Sequence, residues 1–316
     1  MKCCRKFLLG FVLAFSLIFS CSDEQPPSRK LLTENVIVVI IDGARYSETW
    51  GDTTKQIMPY LHKSLSKIGI INTRFFNNGP TYTLAGHVSV TTGIYQEIDN
   101  TGKELPKRPS YIQKYNFTTL SEKEHSWIIT SKDKLEVLSN TLDTAYHNKY
   151  KPSVNCGISG LGSGNRADSI TFKILLETLS TYYPKLVLVN FSEPDYLGHS
   201  NDWNKYIQSI KNTDRFVYRI WEFIQSDPFY KDKTALFVTN DHGRHLDGVA
   251  DGFVSHGDGC DGCRHLMFYA FGPDFKSGVT LENKRELIDI PATIYNMLKL
   301  EDTITQGKVM DELFRY

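Results

Sequence analysis

The stretch Asn35-Val36-Ile37-Val38-Val39-Ile40-Ile41-Asp42-Gly43 decides how the rest of the chain is read. Its β-branched residues run without a break between polar neighbours. Such a strand is apolar on both faces, as strands buried in a parallel sheet are, whereas a strand with one wet face would alternate. The pattern returns at Trp127–Thr130, Lys185–Phe191, Ala235–Thr239 and Leu266–Phe271. Helical patterns lie between these runs: Ile57–Ile68, the short Leu84–Thr92, the amphipathic Ala167–Tyr183 and Trp203–Gln225, and Glu286–Leu300. Strands alternating with helices predict an α/β fold, with a mostly parallel central sheet flanked by helices on both faces.

Outward from that core, the chain start reads as an address. Lys2, Arg5 and Lys6 precede the apolar run Phe7–Phe19, which is too short to span a bilayer and fits a signal-peptide core. Ile18-Phe19-Ser20-Cys21 then resembles a bacterial lipobox. The expectation is a signal peptide over 1–20, a lipid on Cys21, a polar tether to residue 34, and one catalytic domain over 35–316. That places the protein in a bacterial cell envelope, lipid-anchored on the periplasmic or surface side.

The 316 residues carry 36 Lys and Arg against 36 Asp and Glu. A chain with no formal net charge is not a bulk electrostatic binder of nucleic-acid duplexes. Hydrophobic residues at 41% and charged residues at 23% fit a globular chain and exclude disorder. Beyond the leader and tether, only Cys156, Cys260 and Cys263 remain. The C-x-x-C pair is either a local disulfide or half of a zinc knuckle. Since His256 is needed elsewhere, a disulfide or free thiols is the better expectation.

In an open α/β sheet, ligands bind beyond the carboxyl ends of the strands. Asp42 ends the first run, and Asp241-His242 follows Ala235–Thr239 after one residue. Lys185–Phe191 leads into Asp195-x-x-Gly-His199, and His256 lies further on. Carboxylates mixed with imidazoles are the ligand set of zinc and similar metals, and two neighbouring metals clamp an in-line displacement at phosphorus. Each piece alone could be a turn; all of them at strand ends are not easily so.

The series Asp42, Thr83, Asp195-x-x-Gly-His199, Asp241-His242-Gly and His256 resembles the alkaline phosphatase superfamily, nearest its type I phosphodiesterase/nucleotide pyrophosphatase branch. The segment from Gly79 to Tyr95 (GPTYTLAGHVSVTTGIY) looks like that branch's nucleophile segment. The resemblance implies two zinc ions, one on Asp195, His199 and His256. The other is on Asp42, Asp241 and His242, with Thr83 as nucleophile and exchangeable ligand. It also implies a phospho-threonine intermediate and a small phosphorylated substrate; no protein partner is inferred.

The resemblance to nucleotide pyrophosphatases implies an Asn three residues after the nucleophile whose amide binds a phosphoryl oxygen; position 86 is glycine, so that donor is lost or comes from elsewhere, which weakens a nucleotide substrate more than the metal chemistry. Thr130-Ser-Lys132-Asp-Lys134 looks like the lysine segment of phosphonoacetate hydrolases, which implies Lys132 or Lys134 as a substrate-binding residue. Their alternation turns only one of them inward. Arg45 is a further candidate anion contact, and His87, His245 and His265 are candidates to orient ligands or to serve the fold alone. The leading function is thus phosphodiester hydrolysis, with phosphonate or phosphomonoester hydrolysis as alternatives. A catalytically silent binding lipoprotein is the non-enzyme reading, and the complete ligand set argues against it.

Overall fold

The computed structural model describes residues 31–303 and 305–315. The signal peptide, Cys21 and most of the tether lie outside them. Nine strands form one sheet: β1 (Asn35–Ile41), β2 (Ile70–Phe76), β3 (Ser126–Thr130), β4 (Ser153–Cys156), β5 (Leu186–Phe191), β6 (Thr234–Thr239), β7 (His265–Phe271), β8 (Val279–Leu281) and β9 (Arg285–Glu286). The order is β4-β3-β5-β1-β6-β7-β2-β8, with β9 also on β2. Both pairings of β7 are antiparallel and every other pairing is parallel. The mostly parallel α/β fold expected from the sequence is therefore the fold of this chain.

The helices are α1 (Pro59–Lys63), α2 (Thr83–Thr92), α3 (Tyr111–Thr119), α4 (Asp168–Tyr182), α5 (Glu193–His199), α6 (Trp203–Ser226), α7 (Asp261–Arg264) and α8 (Asp289–Met297). β1 shows why an unbroken apolar run is needed. Val36, Val38 and Ile40 pack into a core shared with Leu84 and Val88 of α2, Ile112 of α3 and Ile294 of α8. Ile37, Val39 and Ile41 point the other way, into a core shared with Leu61 of α1, Leu175 of α4 and Ile210 and Val217 of α6. Successive side chains alternate across a strand, so both faces must be apolar when both are covered.

Three expectations change at the level of elements. The helix expected over Ile57–Ile68 is instead α1 followed by a 3-10 turn at Leu65–Lys67. The helix expected over Glu286–Leu300 shortens to α8. β2 is not legible in the sequence because Asn72, Thr73 and Arg74 interrupt its apolar run, and there the strand shifts register between Asn72 and Phe75. Asn72 Oδ1 accepts from the Arg74 N–H at 2.8 Å, so the side chain replaces a ladder bond at the bulge. Among the described residues no helix is long and apolar enough to cross a membrane.

Candidate active site

Four neighbouring parallel strands, β3, β5, β1 and β6, deliver the site at their carboxyl ends. Asp42 follows β1, and Asp241 and His242 follow β6, whose register pairs Ile40 with Thr239. The parallel register therefore sets these side chains beside one another. Asp42, Asp241 and His242 are wholly buried. His242 Nε2 lies 3.5 Å from Asp42 Oδ1 and 3.3 Å from Asp241 Oδ2. None of these three atoms has a hydrogen-bond partner among the described residues.

Leaving three buried polar atoms unpaired is costly unless something else satisfies them. Burial also pushes His242 down to about 3, so its imidazole is neutral and offers a lone pair. Ligand atoms held ~2.0–2.1 Å from one tetrahedral ion stand ~3.3 Å apart. This inner triad has that spacing, and it is a donor set that fits a divalent metal.

The outer triad is built differently. α5 is a two-turn helix with Pro194 in its first turn, and it places Asp195 and His199 four residues apart on one face. His256 arrives from the long loop between β6 and β7. Its Nε2 lies 3.2 Å from His199 Nε2 and 3.3 Å from Asp195 Oδ1, and the third edge, His199 to Asp195, is also 3.3 Å. This triangle has the same metal-ligand spacing. The His199 side chain is 46% exposed, in contrast to the sealed inner triad. The two triads adjoin, with the rings of His242 and His256 stacked 3.8 Å apart.

Thr83 opens α2, after Tyr82 in extended conformation. Position 86 is glycine for a steric reason: a Cβ there would sit 2.4 Å from the Asp241 carbonyl oxygen, so only glycine lets α2 press against the inner triad. His87 Nδ1 hydrogen bonds the Thr83 carbonyl at 2.8 Å and lies 3.2 Å from Asp241 Oδ2, so it braces nucleophile candidate and ligand together. Thr81, by contrast, accepts through its carbonyl from His256 Nδ1 at 2.9 Å and supports the outer triad.

Both lysines reach the site, which corrects the expectation of one. The chain does not continue as a strand after β3; it turns into a 3-10 helix at Asp133, and the alternation ends there. Lys132 is 5% exposed. Its Nζ lies 2.6 Å from Asp195 Oδ2, 3.0 Å from Asp42 Oδ2 and 3.0 Å from Thr83 Oγ1, so it bridges the two triads and the hydroxyl. Burial opposes its charge, but the carboxylates of Asp195, Asp42 and Asp241 outweigh burial and raise it above the usual lysine range. Burial likewise opposes the Asp195 anion, yet Lys132, His199 and His256 hold it well below the usual carboxylate range.

Lys134 sits at the rim, lowered by burial and by the charge of Lys132, and donates to Asn100 Oδ1 at 3.0 Å. Asn100 Oδ1 also takes the Leu84 N–H at 3.0 Å. Its oxygen is thus occupied twice, which leaves the Nδ2 amide as the free donor. Asn100 lines the same cavity as Thr83, so its amide is a candidate for the donor that position 86 lacks. Its distance from Thr83 in sequence gives no signal; the loop after α2 folds back to bring it in.

Arg45 is a correction. Its guanidinium bonds Glu48 Oε2 at 2.6 Å, Asp247 Oδ1 at 2.8 Å and the His245 carbonyl at 2.9 Å, so its donors are spent on the fold and it does not line the cavity. His265 stacks on Tyr46 and bonds the Thr73 carbonyl, away from the site. The sequence also hides Arg244, which is fully buried and donates to Asp195 Oδ1 at 3.0 Å and to the Asp195 carbonyl at 2.9 Å. It hides Asp168 as well, which accepts from Ser131 Oγ and from the backbone N–H groups of Ser192 and Glu193, pinning the loops after β3 and β5 together. Burial, partly offset by those bonds, pushes Asp168 up to about 7.

Thr83, Asn100, Lys132, Lys134, His199 and His256 line one open cavity of about 320 Å³. A second, of about 470 Å³, adjoins it and shares Asn165 and Tyr196.

The comparisons with known proteins bear on the family and the fold. Residues 58–302 match the model of the Metalloenzyme superfamily. A phosphopentomutase of Herpetosiphon aurantiacus is 26% identical over 160 residues, covering 50% of this chain and 37% of that protein. The GPI ethanolamine phosphate transferase 1 of Neurospora crassa is 25% identical over 305 residues, 81% of this chain and 28% of that protein. The chain thus spans well under half the length of these curated relatives. Among solved structures, murine ectonucleotide pyrophosphatase/phosphodiesterase 5 aligns with a TM-score of 0.64 at 15% identity, over 88% of this chain and 100% of the other. A threonine-to-alanine variant of that protein, described as inactive, is solved in complex with AMP.

Proposed function

The chain belongs to the Metalloenzyme superfamily, and on that premise we propose that it is a metal-dependent hydrolase of phosphate esters with Thr83 as its nucleophile. One observation carries the reading. The buried Thr83 hydroxyl lines the cavity, 3.0 Å from an ammonium that touches a carboxylate of each ligand triad. A hydroxyl in that place is next to every charge needed to make it an attacking oxygen. The inner ion would rest on Asp42, Asp241 and His242, and the outer on Asp195, His199 and His256; zinc suits both donor sets. When bound, the two ions supply Lewis acidity, which eases loss of the Thr83 proton and neutralises charge on the transferring group.

The chain's own groups do the rest. Thr83 Oγ1 forms the new bond to phosphorus as the ester oxygen leaves, giving a phospho-threonine that water later cleaves. Lys132, whose three N–H donors are shared among Asp195, Asp42 and Thr83, holds the hydroxyl and sets positive charge beside the transferring group, while the Nδ2 amide of Asn100 in the same cavity is the donor left for a phosphoryl oxygen. The adjoining cavity beside Tyr196 has room for the leaving group.

The resemblance carried by the sequence favours a diester. The cationic lining favours a second reading. Two lysines with a free amide around one hydroxyl suit a dianionic phosphoryl group, as in a phosphomonoester or phosphonate, better than the single charge of a diester. Activity of the zinc-loaded protein on paired aryl substrates, a phosphate monoester against a diester, tests both readings. Turnover of either supports the hydrolase; a higher kcat/KM for the monoester, selectively reduced about tenfold in Lys134→Ala, supports the dianion reading. No turnover of either with both triads metal-loaded overturns the assignment.

We further propose that the chain is anchored through a lipid on Cys21. The support is the short apolar run followed by Ile18-Phe19-Ser20-Cys21. Cys21→Ser should release the protein from the membrane fraction or block its processing; unchanged membrane association would remove the lipid from the account.

A further inference from the structure

The loop between β6 and β7 carries His256 into the outer triad and then turns back on itself. At that turn four side chains of metal-ligating type converge, and none belongs to either triad. They are His245, Asp258, Cys260 and Cys263, with one ligand atom from each lying within 4.8 Å of all the others. We propose that these four side chains hold a third metal ion, zinc by ligand preference, whose role is to clamp the loop that presents His256.

The spacings are those of a tetrahedral site. The cysteines are free, and their sulfurs stand 3.5 Å apart. His245 Nε2 stands 3.2 Å from Asp258 Oδ1. An ion ~2.3 Å from each sulfur and ~2.0–2.1 Å from nitrogen and oxygen sets the sulfur pair ~3.8 Å apart and the nitrogen–oxygen pair ~3.3 Å apart. The turn that bears the sulfurs is fixed by its own backbone, since the N–H groups of Cys263 and Arg264 both donate to the Cys260 carbonyl at 3.0 Å. C-x-x-C on one such turn is half of a structural zinc site, and His245 and Asp258 supply the half that sequence spacing does not reveal.

His245 is the independent sign. Its side chain is 6% exposed, and its Nδ1 faces the Asp251 carboxylate at 3.1 Å. Its Nε2 has no hydrogen-bond partner among the described residues. With the Asp251 carboxylate accepting at Nδ1, Nε2 would offer its lone pair to the cluster it shares with Asp258, Cys260 and Cys263, which is how metal-bound histidines are commonly braced. With nothing bound, that buried nitrogen faces the Asp258 carboxylate at 3.2 Å without a hydrogen bond. Binding releases the two thiol protons to solvent and leaves two thiolates, one carboxylate and a neutral imidazole around a dication.

The consequence for the outer triad follows from what the turn touches. The Gly243 N–H, next to His242, donates to the Cys263 carbonyl at 2.8 Å, and a Cβ on Gly243 would come within 2.0 Å of the Gly262 oxygen. The Gly259 N–H donates to Thr81 Oγ1 at 3.1 Å, while the Thr81 carbonyl holds His256. Fixing Asp258 and Cys260 therefore fixes the loop two residues from the ligand.

The test uses the full chain exchanged with cobalt. Neither triad contains sulfur, so a thiolate-to-cobalt charge-transfer band in the near ultraviolet that persists in Cys156→Ser and is lost in Cys263→Ser comes from the cysteine turn. The expected result is that wild type and Asp42→Asn both show the band and Cys263→Ser loses it. Zinc analysis should find one ion fewer in Cys260→Ser than in wild type. Cys260→Ser and Cys263→Ser are read separately, so the test does not depend on one variant folding, and the band is read without any activity, so it stands apart from the hydrolase assignment. No band in reduced wild type with cobalt in excess, or a Cys260–Cys263 disulfide in protein isolated from its native membranes, overturns the proposal.

Discussion

The two ligand triads share chemistry and spacing but not construction. Asp42, Asp241 and His242 stand at the ends of two hydrogen-bonded strands, sealed from solvent. Their positions are fixed by the sheet, and the sheet by two apolar cores. Asp195, His199 and His256 are gathered from a short helix and a long loop, one of them half in water. Their positions depend on a chain of local braces: Arg244 on Asp195, Thr81 on His256, and the cysteine turn behind both. A ligand set inherited from the sheet should be rigid and intolerant. A set assembled from loops should be adjustable and should fail by degrees.

The largest effects should come from the sealed side. His242→Ala removes the ligand that faces both Asp42 and Asp241, leaving two buried carboxylates without it. Activity is expected to fall by more than ~10³-fold, and excess zinc should not restore it, because the pocket cannot rearrange. Metal analysis alongside kinetics checks this; rescue by added zinc would show that the sheet does not make the inner set rigid.

Thr83→Ala should cost a similar ~10³-fold or more in kcat while leaving metal content unchanged, since it removes the proposed attacking oxygen and none of the six carboxylate and imidazole ligands. Thr83→Ser should retain part of the activity. Thr81→Ala is the informative partner. Thr81 holds His256 through its backbone carbonyl, which alanine keeps, and loses only the bond from the Gly259 N–H to its Oγ1, so kcat with zinc in excess should change little. If Thr81→Ala silences the enzyme and Thr83→Ala does not, the nucleophile has been placed two residues too late.

On the open side, His199→Ala should weaken the outer ion without abolishing its binding. Zinc affinity is expected to fall ~10–100-fold, and kcat should recover substantially when zinc is raised. A titration of activity with zinc reads this directly. Failure to recover would mean that the two triads are equally inflexible and that the contrast in construction has no functional weight.

Much of this contrast can be read in the sequence, and the part that cannot has a physical reason. β1, β5 and β6 announce themselves as apolar runs, so the carboxylates at their ends can be named from the residues alone. Asp195 and His199 are readable because Asp195-x-x-Gly-His199 follows the apolar run of β5 and carries the resemblance; that they share a helix face is seen only in the structure. Asn100 and Arg244 are not, because each reaches the site through a turn whose path depends on tertiary packing. Lys132 and Lys134 defeat the alternation argument because a 3-10 turn replaces the extended chain that it assumes. The pairing of His245 and Asp258 with the C-x-x-C turn is hidden because the loop folds back between them.

Arg45 offers the smallest effect on catalysis and the finest test of how the two regions are joined. It lies three residues beyond the inner ligand Asp42, yet it bonds the His245 carbonyl and Asp247 in the loop that carries the outer ligand His256. It is also the buried partner of Glu48, and it lies 5.6 Å from the centre of the Trp203 ring. Arg45→Ala strands the Glu48 carboxylate in a buried place, which should lower stability by about 3 kcal/mol. It touches neither substrate cavity nor ligand atom, so kcat with zinc in excess should stay within about twofold of wild type. What should change is the zinc concentration needed to reach that kcat, because the loop loses one of its ties to the sheet. Denaturant unfolding and a zinc titration on the same variant separate these outcomes. A fall in kcat that zinc does not repair would return Arg45 to the substrate. An unchanged zinc requirement with lowered stability would mean that the cysteine turn alone holds the loop.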